Sequence, residues 1–311
     1  MILLDEPIRL KENGQINVIL NMKRKEKLQP PPPLSEKHLI LQEIESELNE
    51  LVGLQDVKKM VAEVYAWIYI NKKREELGLK TNQQMLHMMF KGNPGTGKTT
   101  VARIIAKLFK KMNVLSKGHL IEVERADLVG EYIGHTAQKT RDLIKKAFGG
   151  ILFIDEAYSL GRGGEKDFGK EAIDTLVRHM ENHKDEFILI LAGYSKEMES
   201  FLQLNPGLHS RFPLIFQFPD YNIDELMEIS QRMLIENEYA LDEEAQLKLQ
   251  SHLQLMKTKK PERFANGRYI RNTLEKAMRL QAMRLLHEPI LHRHSLFVLK
   301  ACDLRFSNTN E

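Results

Sequence analysis

Gly92-Asn93-Pro94-Gly95-Thr96-Gly97-Lys98-Thr99 satisfies the pattern G-x-x-x-x-G-K-[ST], the phosphate-binding loop of nucleoside triphosphate sites. The glycines let the backbone turn tightly, so that successive amides point inward at phosphate oxygens. Lys98 supplies a positive charge to the β- and γ-phosphates, and Thr99 offers a hydroxyl to Mg²⁺. Thr100 opens the amphipathic run TVARIIAKLF, which reads as a helix whose N-terminal dipole favours the same anion. A second group lies further on, where the apolar run Ile151-Leu152-Phe153-Ile154 ends in Asp155 and Glu156. Asp155 is placed to hold Mg²⁺, directly or through water, and Glu156 to polarise the attacking water. No guanine-reading N-K-x-D stretch follows the loop, which points to ATP rather than GTP.

These residues need strands to carry them and helices to cover the strands. Leu86 to Phe90 reads as the strand before the phosphate loop, and Leu120 to Val123, Phe187 to Ala192 and Leu214 to Phe218 read as further strands. A fully apolar strand such as Ile151 to Ile154 is buried on both faces, as in a parallel sheet. Helices are expected over Gln138 to Phe148 and Lys170 to Asn182, with a charged loop from Gly161 to Gly169 before the second. Upstream, Ser35 is placed to cap a helix through Leu48 with Leu39, Ile40, Ile44 and Leu48 inward. The turn Leu51-Val52-Gly53-Leu54 then leads to a second helix with Val57, Met60, Val61, Val64 and Ile68 on its apolar face.

Three parts follow. Residues 1–34 form an N-terminal appendage, with a hairpin turn at Asn13-Gly14 and an extended spacer at Pro30 to Pro33. Residues 35–219 form the α/β nucleotide-binding domain. Residues 220–311 form a helical subdomain with a polar tail from Ser307.

The bulk numbers narrow the class. A net charge of only +3 gives no strong electrostatic case for nucleic acid or an anionic membrane. No apolar run approaches a membrane span, and the N-terminus does not read as a signal peptide. The single cysteine, Cys302, cannot form an internal disulfide, which fits a reducing cytoplasm.

The phosphate loop, the aromatic-glycine stretch GEYIGHT, FIDEAYSL, NPGLHSRF and GRYIRN stand in one order. Together they resemble the AAA+ ATPases, and within these the CbxX/CfqX group to which the red-type Rubisco activases belong. The resemblance covers most of the chain beyond the first 34 residues. It implies a five-stranded parallel sheet, a helical lid and nucleotide at their junction, in a ring that usually has six subunits. It makes Lys98 and Thr99 part of Walker A and Asp155 and Glu156 part of Walker B. Val52 and Gly53 would border the adenine, and Arg268 would be a lid arginine facing the phosphates. Arg211 would be the arginine finger that completes a neighbour's site, although read alone it equally fits a pairing with a surface acid. One departure stands out: the sensor position after the fourth strand is commonly Asn, whereas here it falls on Tyr194 or Ser195.

Tyr132-Ile133-Gly134 is similar to the pore-loop motif with which such rings grip an extended polypeptide. A large flat side chain beside a glycine can contact a passing chain without reading its sequence. The Gly161 to Gly169 loop fits a second pore loop or a mobile surface loop equally well. The expected function is an ATP-hydrolysing ring acting on an unidentified protein, with endospore formation as its setting. An AAA+ ATPase acting on nucleic acid and a nucleotide-gated scaffold are the alternatives.

Overall fold

The computed structural model describes residues 38–81, 84–132, 134–162, 168–203, 206–259, 264–288 and 290–306. The readings made for the first 34 residues, Ser35, Ile133, the centre of the Gly161 to Gly169 loop and the tail from Ser307 lie outside them.

Helix α1 (Leu39–Asn49) buries Leu41, Ile44 and Leu48, whose spacing keeps them on one face. Leu39 was expected inward but stands 67% exposed, because it begins the helix and its place toward the core falls to Leu41. Helix α2 (Gln55–Glu76) follows a turn in which Leu54 adopts a left-handed backbone. Next come β1 (Met88–Gly92), α3 (Lys98–Lys111), β2 (Leu120–Val123), the short α4 (Arg125–Leu128) and α5 (His135–Ala147). Then follow β3 (Ile151–Ile154), a 3₁₀ turn (Ala157–Gly161), α6 (Gly169–Asn182), β4 (Ile188–Gly193), α7 (Ser195–Gln203), α8 (Pro206–Arg211) and β5 (Leu214–Phe218). Strand β1 ends at Gly92, two residues beyond the predicted end, so it carries the chain directly into the phosphate loop.

The five strands form one parallel sheet in the order β2-β3-β4-β1-β5. Parallel neighbours need crossovers, which the intervening helices supply. Strand β1 lies between β4 and β5, with Phe90 opposite Ala192 on one side and Phe216 on the other. The alternation of side chains divides the core. Met88, Phe90, Ile151, Phe153, Ile188 and Ile190 join α1, α2 and α3 on one face. Met89, Leu152, Ile154, Leu189 and Leu191 join α5, α6 and α7 on the other. Every strand end that carries site chemistry therefore leaves the same edge of the sheet.

The helical subdomain contains α9 (Ile223–Glu236), α10 (Glu243–Lys259), α11 (Asn266–Leu285) and α12 (Arg293–Phe297). It also holds a parallel pair not foreseen from sequence, β6 (Ala240–Leu241) with β7 (Val298–Leu299). A capping box starts α9: Asn222 Oδ1 accepts from Glu225 N at 2.8 Å, and Glu225 Oε2 accepts from Asn222 N at 2.7 Å. The apolar cluster on the α3 face of the sheet continues without a break into this subdomain through Tyr221, Leu226, Leu249, Ile270 and Leu274. The described residues from His38 onward accordingly form one compact unit.

Candidate nucleotide site

The phosphate loop joins the end of β1 to the first turn of α3, with Gly97 as its cap. Lys98 Nζ donates to Gly92 O at 2.9 Å and Asn93 O at 2.8 Å, and Thr96 Oγ1 donates to Asn93 O at 2.8 Å. Burial lowers the Lys98 pKa; Asp155 pushes it back up, Arg268 pushes it down, and Asp220 and Glu156 push it up. Four groups from three separate segments thus share one electrostatic field with the loop lysine. Thr99 and Thr100 lie in the first turn of α3.

Asp155 and Glu156 follow β3. Asp155 N donates to Val123 O at 3.1 Å, and Asp155 Oδ1 accepts from Glu156 N at 2.9 Å. Glu156 has φ +46°, a left-handed backbone that costs an L-residue on the order of 1 kcal/mol and turns its side chain out of the strand direction. Burial first, and the Glu156 charge second, raise the Tyr158 pKa, so the phenol stands in the field of that carboxylate. Tyr158 packs at a tilt on Tyr194, with ring centroids 5.8 Å apart, and carries the Arg162 guanidinium 4.6 Å from its ring centroid. Burial raises the Tyr194 pKa, and Glu156, Glu197, Arg268 and Asp155 all act on it, so this residue stands within the site. Ser195 begins α7 immediately after it.

The subdomain that follows reaches the loop directly. Gly267 N donates to Gly95 O at 3.0 Å. Gly95 has φ +71°, and a Cβ there would stand 2.3 Å from Ala265 O and 2.6 Å from Arg268 N, so only glycine permits this approach. Tyr221 Oη donates to Thr96 O at 3.0 Å, and burial, then Glu225, pushes its pKa up to about 12. The Val52-Gly53-Leu54 turn lies against the same junction: a Cβ on Gly53 would meet Glu225 Oε1 at 2.4 Å and the Tyr221 ring at 3.6 Å. Asn93, which the motif leaves unspecified, donates to both oxygens of Asp220.

Two predicted residues stand elsewhere. Arg211 ends α8; it pairs with Glu181 and donates to Gly207 O at 2.6 Å. Because β5 pairs with β1 in parallel and Arg211 precedes β5, it sits at the opposite edge of the sheet from the phosphate loop. The five residues of β1 put about 16 Å between those edges. Tyr132 is 66% exposed, with its ring edge-on to His135 at 5.4 Å, so most of it faces water rather than the core. Gly134, at φ +81°, caps α5 with nothing within 4 Å of its Cβ position, so backbone conformation alone calls for glycine there.

Sequence reasoning missed Tyr158, Asp220, Tyr221 and Asn266. Asn266 had a local signal, an Asn-Gly pair at a helix start where a left-handed residue is tolerated; its φ is +45°.

Strand-borne carboxylates, a glycine loop with its lysine and a helical subdomain closing over them define a P-loop ATPase. Residues 88–220 match the family model for the ATPase family associated with various cellular activities (AAA), and residues 222–311 match the AAA lid domain. The chain belongs to the AAA ATPases and, within them, to the CbxX/CfqX group. It is 60% identical to stage V sporulation protein K of Bacillus subtilis (strain 168), over 97% of each chain. It is 44% identical to a chloroplastic ribulose bisphosphate carboxylase/oxygenase activase of Cyanidioschyzon merolae, over 86% of this chain and 92% of that one. A solved RuvB mutant from Thermotoga maritima superposes with a TM-score of 0.53 at 18% identity, covering 83% of this chain and 69% of that chain, a likeness of fold alone. Among the described residues no helix is long and apolar enough to cross a membrane.

Proposed function

We propose that this ATPase works as a cytoplasmic homo-oligomeric ring, of six subunits as is usual for its class, that remodels or threads a protein substrate during endospore formation. The sporulation name of the Bacillus relative and the activase name of the algal relative support the setting and the kind of work. The observation that carries the reading is Tyr132, a large aromatic left mostly in water beside the Gly134-capped α5 on a domain that binds ATP. An exposed aromatic of this kind can hold a passing chain of any sequence.

In this reading the loop amides and Lys98 bind and orient the phosphates, and the Val52-Gly53 turn borders the base. Mg²⁺, when bound, screens the phosphate charge, and Thr99 and Asp155 would hold it; a hydroxyl in the first turn of α3 and a carboxylate in the Lys98 field are oxygen donors that fit a hard cation. Glu156 polarises the attacking water, with the Tyr158 phenol beside its carboxylate. Arg268 faces the phosphates from the lid, and Arg211 is supplied by the adjoining subunit.

The test is a trap. Glu156→Gln, loaded with ATP and crosslinked in extracts of sporulating cells, should hold a defined protein, and adding Tyr132→Ala should release it. Capture that persists without the tyrosine, or turnover stimulated by DNA, would overturn the protein-remodelling reading.

A further inference from the structure

The junction between phosphate loop and lid is closed by a polar cluster that no apolar packing argument requires. Asn266 is fully buried at the first position of α11 and uses its whole amide. Its Oδ1 accepts from Tyr221 N at 3.0 Å, and its Nδ2 faces Asp220 Oδ1 at 2.7 Å, Phe264 O at 3.1 Å and Pro94 O at 3.4 Å. The Asp220 carboxylate also accepts Asn93 Nδ2 on its two oxygens, at 3.0 and 2.9 Å. One carboxylate at the domain junction therefore ties a phosphate-loop side chain to a lid side chain, and Arg268 lies two residues beyond Asn266 on the same helix.

We propose that Asp220 and Asn266 are positioning residues for ATP hydrolysis, locking the start of α11 against the phosphate loop and so setting where Arg268 stands. The proposal rests on the reading of Arg268 as a phosphate-facing arginine. Attachment of the lid does not depend on the lock: the continuous apolar cluster, Tyr221 Oη donating to Thr96 O and Arg232 donating to Glu50 O hold the subdomain independently. The lock governs alignment, because charge-assisted hydrogen bonds are directional where apolar burial is not.

Two variants of the full chain test this. Asn266→Gly removes the amide while accepting the left-handed backbone that alanine would strain. Asp220→Asn keeps shape but loses the charge and one acceptor, at a half-exposed position that spares the fold. Each is measured alone and combined with Arg268→Ala, for ATP turnover, for affinity toward a fluorescent ADP analogue and for thermal midpoint. Each single variant should lower kcat tenfold or more with ADP affinity within threefold, and should add less than twofold in the Arg268→Ala background. A full additional loss in that background, an equal loss of ADP affinity, or an unchanged kcat overturns the positioning role. Full turnover by Arg268→Ala alone instead overturns the reading of Arg268, and the two failures are told apart by that single measurement.

Discussion

The phenol of Tyr158 lies in the field of the Glu156 carboxylate, two residues before it, across the 3₁₀ turn that leaves β3. The turn and the left-handed Glu156 backbone together set where the acid leaves the strand, with the phenol beside it. Tyr158→Phe should lower kcat several-fold with KM for ATP unchanged, since ring packing on Tyr194 survives and only the hydroxyl is lost. An equal rise in KM would place Tyr158 in nucleotide binding instead.

Lys98→Ala and Glu156→Gln should separate binding from chemistry. The lysine variant should show no measurable binding of fluorescent ATP. The glutamate variant should bind ATP normally and lose about 10² to 10⁴ in turnover, the usual worth of a positioned general base. Isothermal titration and a phosphate-release assay read the two effects.

Arg211→Ala should spare nucleotide binding and lower turnover of the assembled protein by about 10³ or more, as loss of an arginine supplied in trans does. Its present partner, Glu181, is on the same chain, so Glu181→Gln should not reproduce the loss. Mixing Arg211→Ala with Lys98→Ala subunits should restore part of the activity. Two inactive pools that stay inactive together would mean that Arg211 is a local ion-pair partner.

His87 makes an acid-stability prediction. It is fully buried, its Nδ1 accepts from Leu189 N at 3.0 Å, and burial pulls its pKa from 6.5 down to about 4. Above pH 6.5 the ring is neutral in both folded and unfolded chains and its contribution is fully present. Between pH 6.5 and 4 the unfolded chain takes up a proton that the folded one refuses, so about 3 kcal/mol of stability is lost as pH falls through that window. Melting curves of wild type and His87→Gln should converge on acidification; parallel curves would contradict the assignment.

The parts of this site readable from sequence are those whose residues are contiguous. The phosphate loop and the Asp155-Glu156 strand end are set by local backbone geometry, so a short pattern captures each. Asp220 meets Asn93 across 127 residues and Asn266 across 46, and no local spacing announces such a meeting. The resemblance gave a five-stranded parallel sheet but not the order of its strands, since an apolar strand such as β3 carries no mark of its neighbours. Pair β6 and β7 escaped because each strand has two residues, too short for any alternation to register. Leu39 was assigned inward because a helical pattern does not say where the helix starts.

With Arg211 acting in trans as proposed, its placement at one edge of the sheet and that of the phosphate loop at the other give each chain a polarity, a donor side and an acceptor side. Contacts that join unlike sides are heterologous, and they close only when the rotation between neighbours sums to a full turn. An open arc of such chains always leaves one acceptor without its arginine and one arginine unused. Closure removes both loose ends at once. Turnover per chain should then rise with protein concentration and reach its plateau where the arc closes, which makes catalysis itself a gauge of assembly.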